Sequence, residues 1–368
     1  MAPPALRAPK PIGRPVRVLV VDDSMVIRTL VSNWISSEAG FELAGVAADG
    51  AAAVRVLGGV EADVCILDLD MPVMSGIEAI PRLLRLRPEL KILVASRLVQ
   101  RGPEAGLKAI EAGAADYIAK PSTNDVGGAD AFRREILGRA RSLALTSVPP
   151  PPSSARRTSA APARPHPSCR SGPLEAPELI VVAASTGGPP ALQDLLKGLR
   201  DDLAQPILIV QHMPAAFIEL LAAQLTKASG VRVSVARDGE ALPAGRAWLA
   251  PGDQHLKVEK RDGRLYSRLT QSPPENFCRP AADVLFRSAA EACGVRAVAV
   301  VLTGMGRDGL AGASAISSAG GVIVAQDEAT SVVWGMPGAV VGSGLASVIG
   351  PVGRLAVAVR RLSQGEAP

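Results

Sequence analysis

The sequence predicts an α/β protein made of two doubly wound parallel-sheet domains joined by a Pro-rich linker. Three observations predict it. Short β-branched runs alternate with amphipathic stretches over residues 15–141, and the alternation returns over residues 175–368. Between them, residues 142–174 hold eight prolines, four in the unbroken run Pro149–Pro152. Strands that alternate with helices form a parallel sheet covered on both faces. A Pro-, Ser- and Arg-rich stretch buries too little apolar surface to order itself, so residues 142–174 read as an extended linker. Residues 1–14, basic and proline-rich, read as a disordered tail.

In the first domain, strands are expected at Val16–Val21, Glu42–Val46, Val64–Leu67, Lys91–Ala95 and Asp116–Ala119. Helical periodicity runs through Val26–Ser37, Ala51–Leu57, Ile77–Leu86, Ala105–Ala112 and Ala131–Leu145. In the second domain, strands are expected at Leu179–Ala183, Ile207–Val210, Val231–Val235, Ala297–Leu302 and Val322–Ala325, separated by helices. One stretch breaks the pattern. His255–Thr270 alternates about Asp262-Gly263, a dipeptide that favours a tight hairpin turn, so an antiparallel hairpin should decorate the second sheet.

Composition narrows the function. Hydrophobic residues at 48% and charged residues at 20% suit a globular protein with large cores. The formal charge is +5, but residues 1–21 and 142–174 each carry four basic and no acidic side chains. The basicity therefore belongs to tail and linker, which disfavours nucleic-acid binding. Three Trp, two Tyr and five Phe supply few stacking platforms. No apolar run approaches the roughly 20 residues of a membrane span, and residues 1–15 lack the apolar stretch of a signal peptide. The cysteines at 65, 169, 278 and 293 show no metal spacing. A cytoplasmic protein without membrane insertion is expected.

Asp22 and Asp23 follow the first strand, Asp68 follows the third, Ser96 ends the fourth and Lys120 follows the fifth. In a doubly wound sheet the carboxyl ends of neighbouring strands line one crevice, so these groups should converge. Carboxylates brought together repel, and a hard cation such as Mg²⁺ or a lysine relieves that. Residues 15–141 resemble a response-regulator receiver domain. The resemblance implies a flavodoxin-like sheet, Asp68 as phosphoacceptor, and Mg²⁺ held by Asp22, Asp23, Asp68 and the backbone carbonyl of Asp70. It also implies a switch pair of Ser96 and Tyr117, with Lys120 on the phosphoryl group.

In the second domain, the first strand ends in Ser185-Thr186-Gly187-Gly188-Pro189-Pro190 before a helical stretch. A serine at such a turn is presented at the sheet edge; a plain helix cap or a phosphate loop fits nearly as well. A nucleophilic serine needs a base, and the chain has three histidines. His166 lies in the linker. His212 follows the strand Ile207–Val210 and so shares an edge with Ser185, whereas His255 enters the hairpin. Two carboxylates could orient the base: Asp308, in the glycine-dense stretch after Leu302, and Asp327, after the strand Val322–Ala325.

Residues 177–364 resemble the catalytic domain of the chemotaxis protein-glutamate methylesterase (CheB) family. The matching motifs are Ala184-Ser185-Thr186-Gly187-Gly188, Gln211-His212-Met213-Pro214, Ala250-Pro251-Gly252-Asp253-Gln254-His255, Leu302-Thr303-Gly304-Met305-Gly306 with Asp308-Gly309, and Gly335-Met336-Pro337. The departures are Ala183 where glycine is frequent, and Arg307. The resemblance implies a Rossmann-like sheet and a triad of Ser185, His212 and Asp308, with the Met305 amide in the oxyanion hole and Thr186 assisting. It implies hydrolysis of γ-glutamyl methyl esters on the methylated helices of chemoreceptor cytoplasmic domains, deamidation of glutamine by the same route, and no cofactor for the hydrolysis. A chemotaxis histidine kinase would be the phosphodonor, and the unphosphorylated receiver would cover the catalytic face. Two other readings are a receiver-linked transcription regulator, opposed by a charge-neutral second domain, and a receiver-controlled binding module on a silent hydrolase scaffold.

Overall fold

The computed structural model describes residues 14–96, 98–121, 128–145, 175–200 and 203–368, without side chains for 98–103. The expected tail up to residue 13, residues 146–174 of the linker, His166 and Cys169 lie outside the described residues. The chain divides into two compact units, residues 1–148 and 149–368.

The first unit runs β1 (Val16–Val21), α1 (Met25–Ser37), β2 (Phe41–Ala47), α2 (Gly50–Gly59), β3 (Val64–Leu67), α3 (Gly76–Leu86), β4 (Lys91–Ser96), α4 (Leu98–Glu111), β5 (Asp116–Ala119) and α5 (Gly128–Leu145). Its five strands are parallel in the order β2-β1-β3-β4-β5. The helices start where the sequence supplies caps. The Ser24 and Asp49 side chains accept from the Ile27 and Ala52 amides, and Ser75 with Glu78 forms a reciprocal capping box. The central strands are buried on both faces, which is why β3 and β4 read as nearly continuous apolar runs. Helix α5 continues to Leu145, so residues 142–145, expected in the linker, are helical. Leu143 and Ala144 are buried and extend the apolar face of Ile136, Leu137 and Ala140.

The second unit runs β6 (Leu179–Ala184), α6 (Gly188–Leu199), β7 (Ile207–Gln211), α7 (Ala215–Ser229), β8 (Arg232–Val235), β9 (Arg246–Leu249), β10 (His255–Arg261), β11 (Arg264–Thr270), α8 (Ala282–Cys293), β12 (Ala297–Val301), α9 (Leu310–Ser318), β13 (Val322–Gln326), α10 (Met336–Gly342), β14 (Val348–Gly350) and α11 (Val352–Ser363). Seven parallel strands follow the order β14-β13-β12-β6-β7-β9-β8. The sheet is wider than the five strands expected, because β9 and β14, four and three residues long, also join it. The hairpin β10–β11 forms as expected, with Asp262 and Gly263 at φ 49° and 74°, the left-handed pair that a tight two-residue turn requires. Chain direction reverses across the sheet at β6: the next strand, β7, lies on one side of it and β12 on the other. The carboxyl ends of β12, β6 and β7 therefore frame a crevice.

Candidate active site

In the first unit the expected groups converge. The ligand oxygens of Asp22, Asp23 and Asp68 all lie within 4.8 Å of one another. Lys120 Nζ is 2.7 Å from Asp22 Oδ2 and 2.8 Å from Asp68 Oδ2, with all three side chains nearly buried. Burial holds the Asp68 carboxyl above the usual carboxylate range, against the pull of Lys120. A Cβ on Gly76 would stand 2.2 Å from the Asp68 carbonyl oxygen, so only glycine lets α3 start this close to the acid. Ser96 and Tyr117 are buried, and the Tyr117 hydroxyl donates to the Ser96 carbonyl at 3.1 Å. Burial, with Asp68 and Asp70 nearby, pushes the Tyr117 phenol up to about 12. Asp70 is partly buried just beyond Asp68. Several carboxylate oxygens facing one lysine make a donor set suited to a hard dication such as Mg²⁺.

In the second unit Ser185, His212 and Thr303 stand side by side on the sheet edge. The His212 amide donates to the Ala184 carbonyl at 3.0 Å, and the Ser185 amide donates to the Thr303 carbonyl at 3.0 Å. Ser185 does not cap α6. That position belongs to Gly187, at φ 74°, where a Cβ would strike Val332 at 2.5 Å. Gly188 leaves room for Gln211, whose Nε2 donates to the carbonyls of Ser185 and His212 at 2.9 and 3.1 Å. Buried Thr186 accepts at its carbonyl from the Thr303 hydroxyl at 2.9 Å.

The carboxylate on His212 is Asp308, whose Oδ2 lies 2.8 Å from Nε2. Asp308 is buried and takes four further donors: the amides of Ala282, Asp283 and Gly309, and Asn276 Nδ2. Two of those amides open α8, so Asp308 also supplies the negative charge that a helix N-terminus favours. Burial alone would raise the Asp308 carboxyl, yet His212 and the backbone amides hold it below the usual range. Burial opposes charge on His212, but Asp308 and then the Cys278 thiol outweigh it and raise the ring to about 9. Asp327 does other work: its Oδ1 accepts from the amide and hydroxyl of Thr330 at 3.0 and 2.6 Å, closing a turn.

Among the described residues no hydrogen bond joins the Ser185 hydroxyl to the ring; His212 Nδ1 instead faces Cys278 Sγ at 3.9 Å. His212, Cys278 and Asp308 offer ligand atoms within 4.8 Å of one another, a grouping that cysteine spacing did not reveal. Asn276, which bonds both Asp308 and buried Asp283, was also missed. Both come from the loop after β11, where the available signals were Pro273-Pro274 and Arg279-Pro280. His255 is fully buried and structural. Its Nδ1 accepts from the Ala281 amide at 3.2 Å, so Nε2 carries the proton given to the Pro273 carbonyl at 3.1 Å.

The glycine loop after β12 completes the edge. The Gly304 amide donates to the Val333 carbonyl, and the Gly304 carbonyl accepts from the Gly335 and Met336 amides. These bonds fix the peptide that leads into Met305, whose side chain is exposed. A Cβ on Gly304 would lie 2.4 Å from Met336 Sδ and 2.8 Å from Ser185 Cβ, so the loop presses against the serine.

The CheB methylesterase sequence profile matches residues 180–359, and the response regulator receiver profile matches residues 18–127. A protein-glutamate methylesterase/protein-glutamine glutaminase 2 from Caulobacter vibrioides is 49% identical over 342 residues, 92% of this chain and 96% of the relative. The chain belongs to the CheB family. A further member, the protein-glutamate methylesterase/protein-glutamine glutaminase of Azospirillum brasilense, is 43% identical over 95% of this chain and 93% of its own. The crystal structure of the Thermotoga maritima CheB methylesterase catalytic domain matches with a TM-score of 0.50 and 37% identity, covering 51% of this chain and all of that one. Membership fixes the pairing of a receiver with a hydrolase domain and sets aside the transcription regulator. No described helix is long and apolar enough to cross a membrane.

Proposed function

We propose that this chain is a phosphorylation-activated serine hydrolase that removes methyl esters from glutamate side chains of chemoreceptors and deamidates specific glutamines, acting in the cytoplasm during chemotactic adaptation. The observation that carries the reading is the His212–Asp308 bond at the sheet edge that also bears Ser185. Ser185 attacks the side-chain carbonyl as the neutral His212 ring takes its proton, and Asp308 orients the ring. His212 returns that proton to the leaving methanol, or to ammonia from a glutamine. Water then releases the glutamate through the same base. The Met305 amide, with Thr186 assisting, stabilises the oxyanion.

In the receiver, Asp68 is the phosphoacceptor, and a chemotaxis histidine kinase is the donor. Mg²⁺ would be held by Asp22, Asp23, Asp68 and the carbonyl of Asp70; when bound, it neutralises charge that develops on the transferring phosphoryl group. Lys120, already bonded to Asp68, adds positive charge on the same side. Ser96 and Tyr117 are the switch pair that reads the phosphoryl group.

The test is methanol release from receptor-bearing membranes labelled on their glutamyl methyl groups. Wild type supplied with a small phosphodonor and Mg²⁺ should release labelled methanol, and Ser185→Ala should not. Equal release by both would remove Ser185 from the mechanism. No release by wild type would leave the silent binding module.

A further inference from the structure

Of the five phenylalanines in the chain, Phe41, Phe132, Phe217 and Phe286 are buried, whereas Phe277 is 103% exposed. It occupies a place the backbone resists. The turn from Glu275 to Cys278 is closed by reciprocal backbone bonds of 3.1 and 2.8 Å, and its two central residues, Asn276 and Phe277, have φ of 53° and 64°. Glycine and asparagine suit that left-handed region, and a bulky aromatic is a true outlier there. Exposure returns nothing for the strain, because the ring buries no surface. An outlier of this kind points to function.

The turn is also rigid. Arg287 grips Glu275 with two bonds of 2.7 and 2.6 Å. Asn276 Nδ2 donates to Asp283 at 2.8 Å and to Asp308 at 3.0 Å. His255 ties the flanks through Pro273 and Ala281. Phe277 thus sits between Asn276, which holds the acid, and Cys278, which faces the base. A rigid aromatic already held in place loses little freedom when a partner covers it.

We propose that Phe277 is the apolar anchor that seats the protein substrate, packing on an apolar side chain one helical turn from the esterified glutamate. The occupant is the methylated helix of the substrate, because residues three or four apart on a helix share a face, and an amphipathic helix carries an apolar stripe beside its polar positions. This rests on the activity proposed above. Phe277 acts by positioning and takes no part in bond breaking.

The test compares full-length wild type, Phe277→Asn and Phe277→Tyr on two esters: a methylated receptor cytoplasmic fragment and the methyl ester of a short glutamyl peptide with no helix. Phe277→Asn should raise KM for the receptor fragment about thirtyfold, the scale of a hot-spot loss, and Phe277→Tyr should recover it. The peptide ester should lose far less, and the thermal midpoint of Phe277→Asn should hold or rise as strain is relieved. Equal losses on both esters, or a midpoint lowered by several degrees, would overturn the proposal. So would a faster unphosphorylated enzyme with unchanged receptor KM, which would assign the ring to the receiver unit. Binding of the receptor fragment, measured without turnover, separates this idea from the activity beneath it. Equal binding by wild type and Phe277→Asn removes the anchor, while weaker binding by Phe277→Asn supports it even in an enzyme that hydrolyses neither ester.

Discussion

His212 Nε2 and Asp308 Oδ2 stand 2.8 Å apart although 96 residues separate them. The carboxylate cannot swing away, because three backbone amides and Asn276 also hold it. A ring whose partner is fixed by the main chain keeps one orientation.

Ser185→Ala and His212→Ala should each lower methanol release by about a thousandfold or more, and the double variant should be little worse, because triad members act as a unit. Additive losses would mean that the two residues serve separate steps.

Asp308→Asn should be severe, since an amide cannot accept from the ring and four other donors in the same way, and the wrong ring tautomer follows. Asp327→Asn should change the rate little, because Asp327 only closes the turn at Thr330. Rates for the two variants at one substrate concentration decide the matter; a larger loss from Asp327→Asn would reverse the assignment.

Only the neutral His212 ring accepts a proton. With the ring raised to about 9, kcat/KM should climb with pH through that region, and Asp308→Asn should move the limb down towards the ordinary histidine value of about 6.5. The shift also acts on stability. A raised histidine pKa favours the folded unit fully below about 6.5, and that contribution falls away as pH rises through about 9. Thermal midpoints of wild type and His212→Gln should therefore differ most at low pH within that window and converge above it. A pH–rate limb near 6.5 in wild type would contradict the raised ring.

Asp68→Asn should hold the full chain at its basal rate when a small phosphodonor and Mg²⁺ are supplied, while wild type rises. Residues 175–368 alone should be active without any donor, if control works by covering the site. Each 1.4 kcal/mol of docking preference changes the open population about tenfold, so a few kcal/mol suffice. An isolated catalytic unit no faster than the unphosphorylated full chain would replace occlusion with stimulation by the receiver.

The sequence made the strand-end residues legible and hid those that reach the site from loops. Asp22, Asp68 and Lys120 could be gathered by topology alone, as could Ser185 and His212, because parallel neighbours deliver their carboxyl ends to one edge. Asp308 and Asp327 looked equivalent since both follow strands. What separates them is the loop between β12 and α9, where Gly306 at φ 89° and Gly309 at φ 91° flank Asp308 and aim its carboxylate at α8 and His212. Cys278 and Asn276 lie in a stretch without period, so nothing in their spacing linked them to His212. His255 enters the hairpin away from the Ser185 edge in the sequence, and both of its ring nitrogens are engaged by backbone.

The glycine loop beside Ser185 leans on a segment made later. Gly304 pairs with Trp334, and its carbonyl is held by the amides of Gly335 and Met336. A chain still emerging from the ribosome can already contain Ser185, His212 and Asp308 and yet lack the brace that shapes the loop against the serine. Since domains fold during synthesis as their parts appear, the hydrolase should stay silent until Trp334, Gly335 and Met336 have been made. Nascent chains stalled before residue 336 should carry all three reactive groups and cleave nothing.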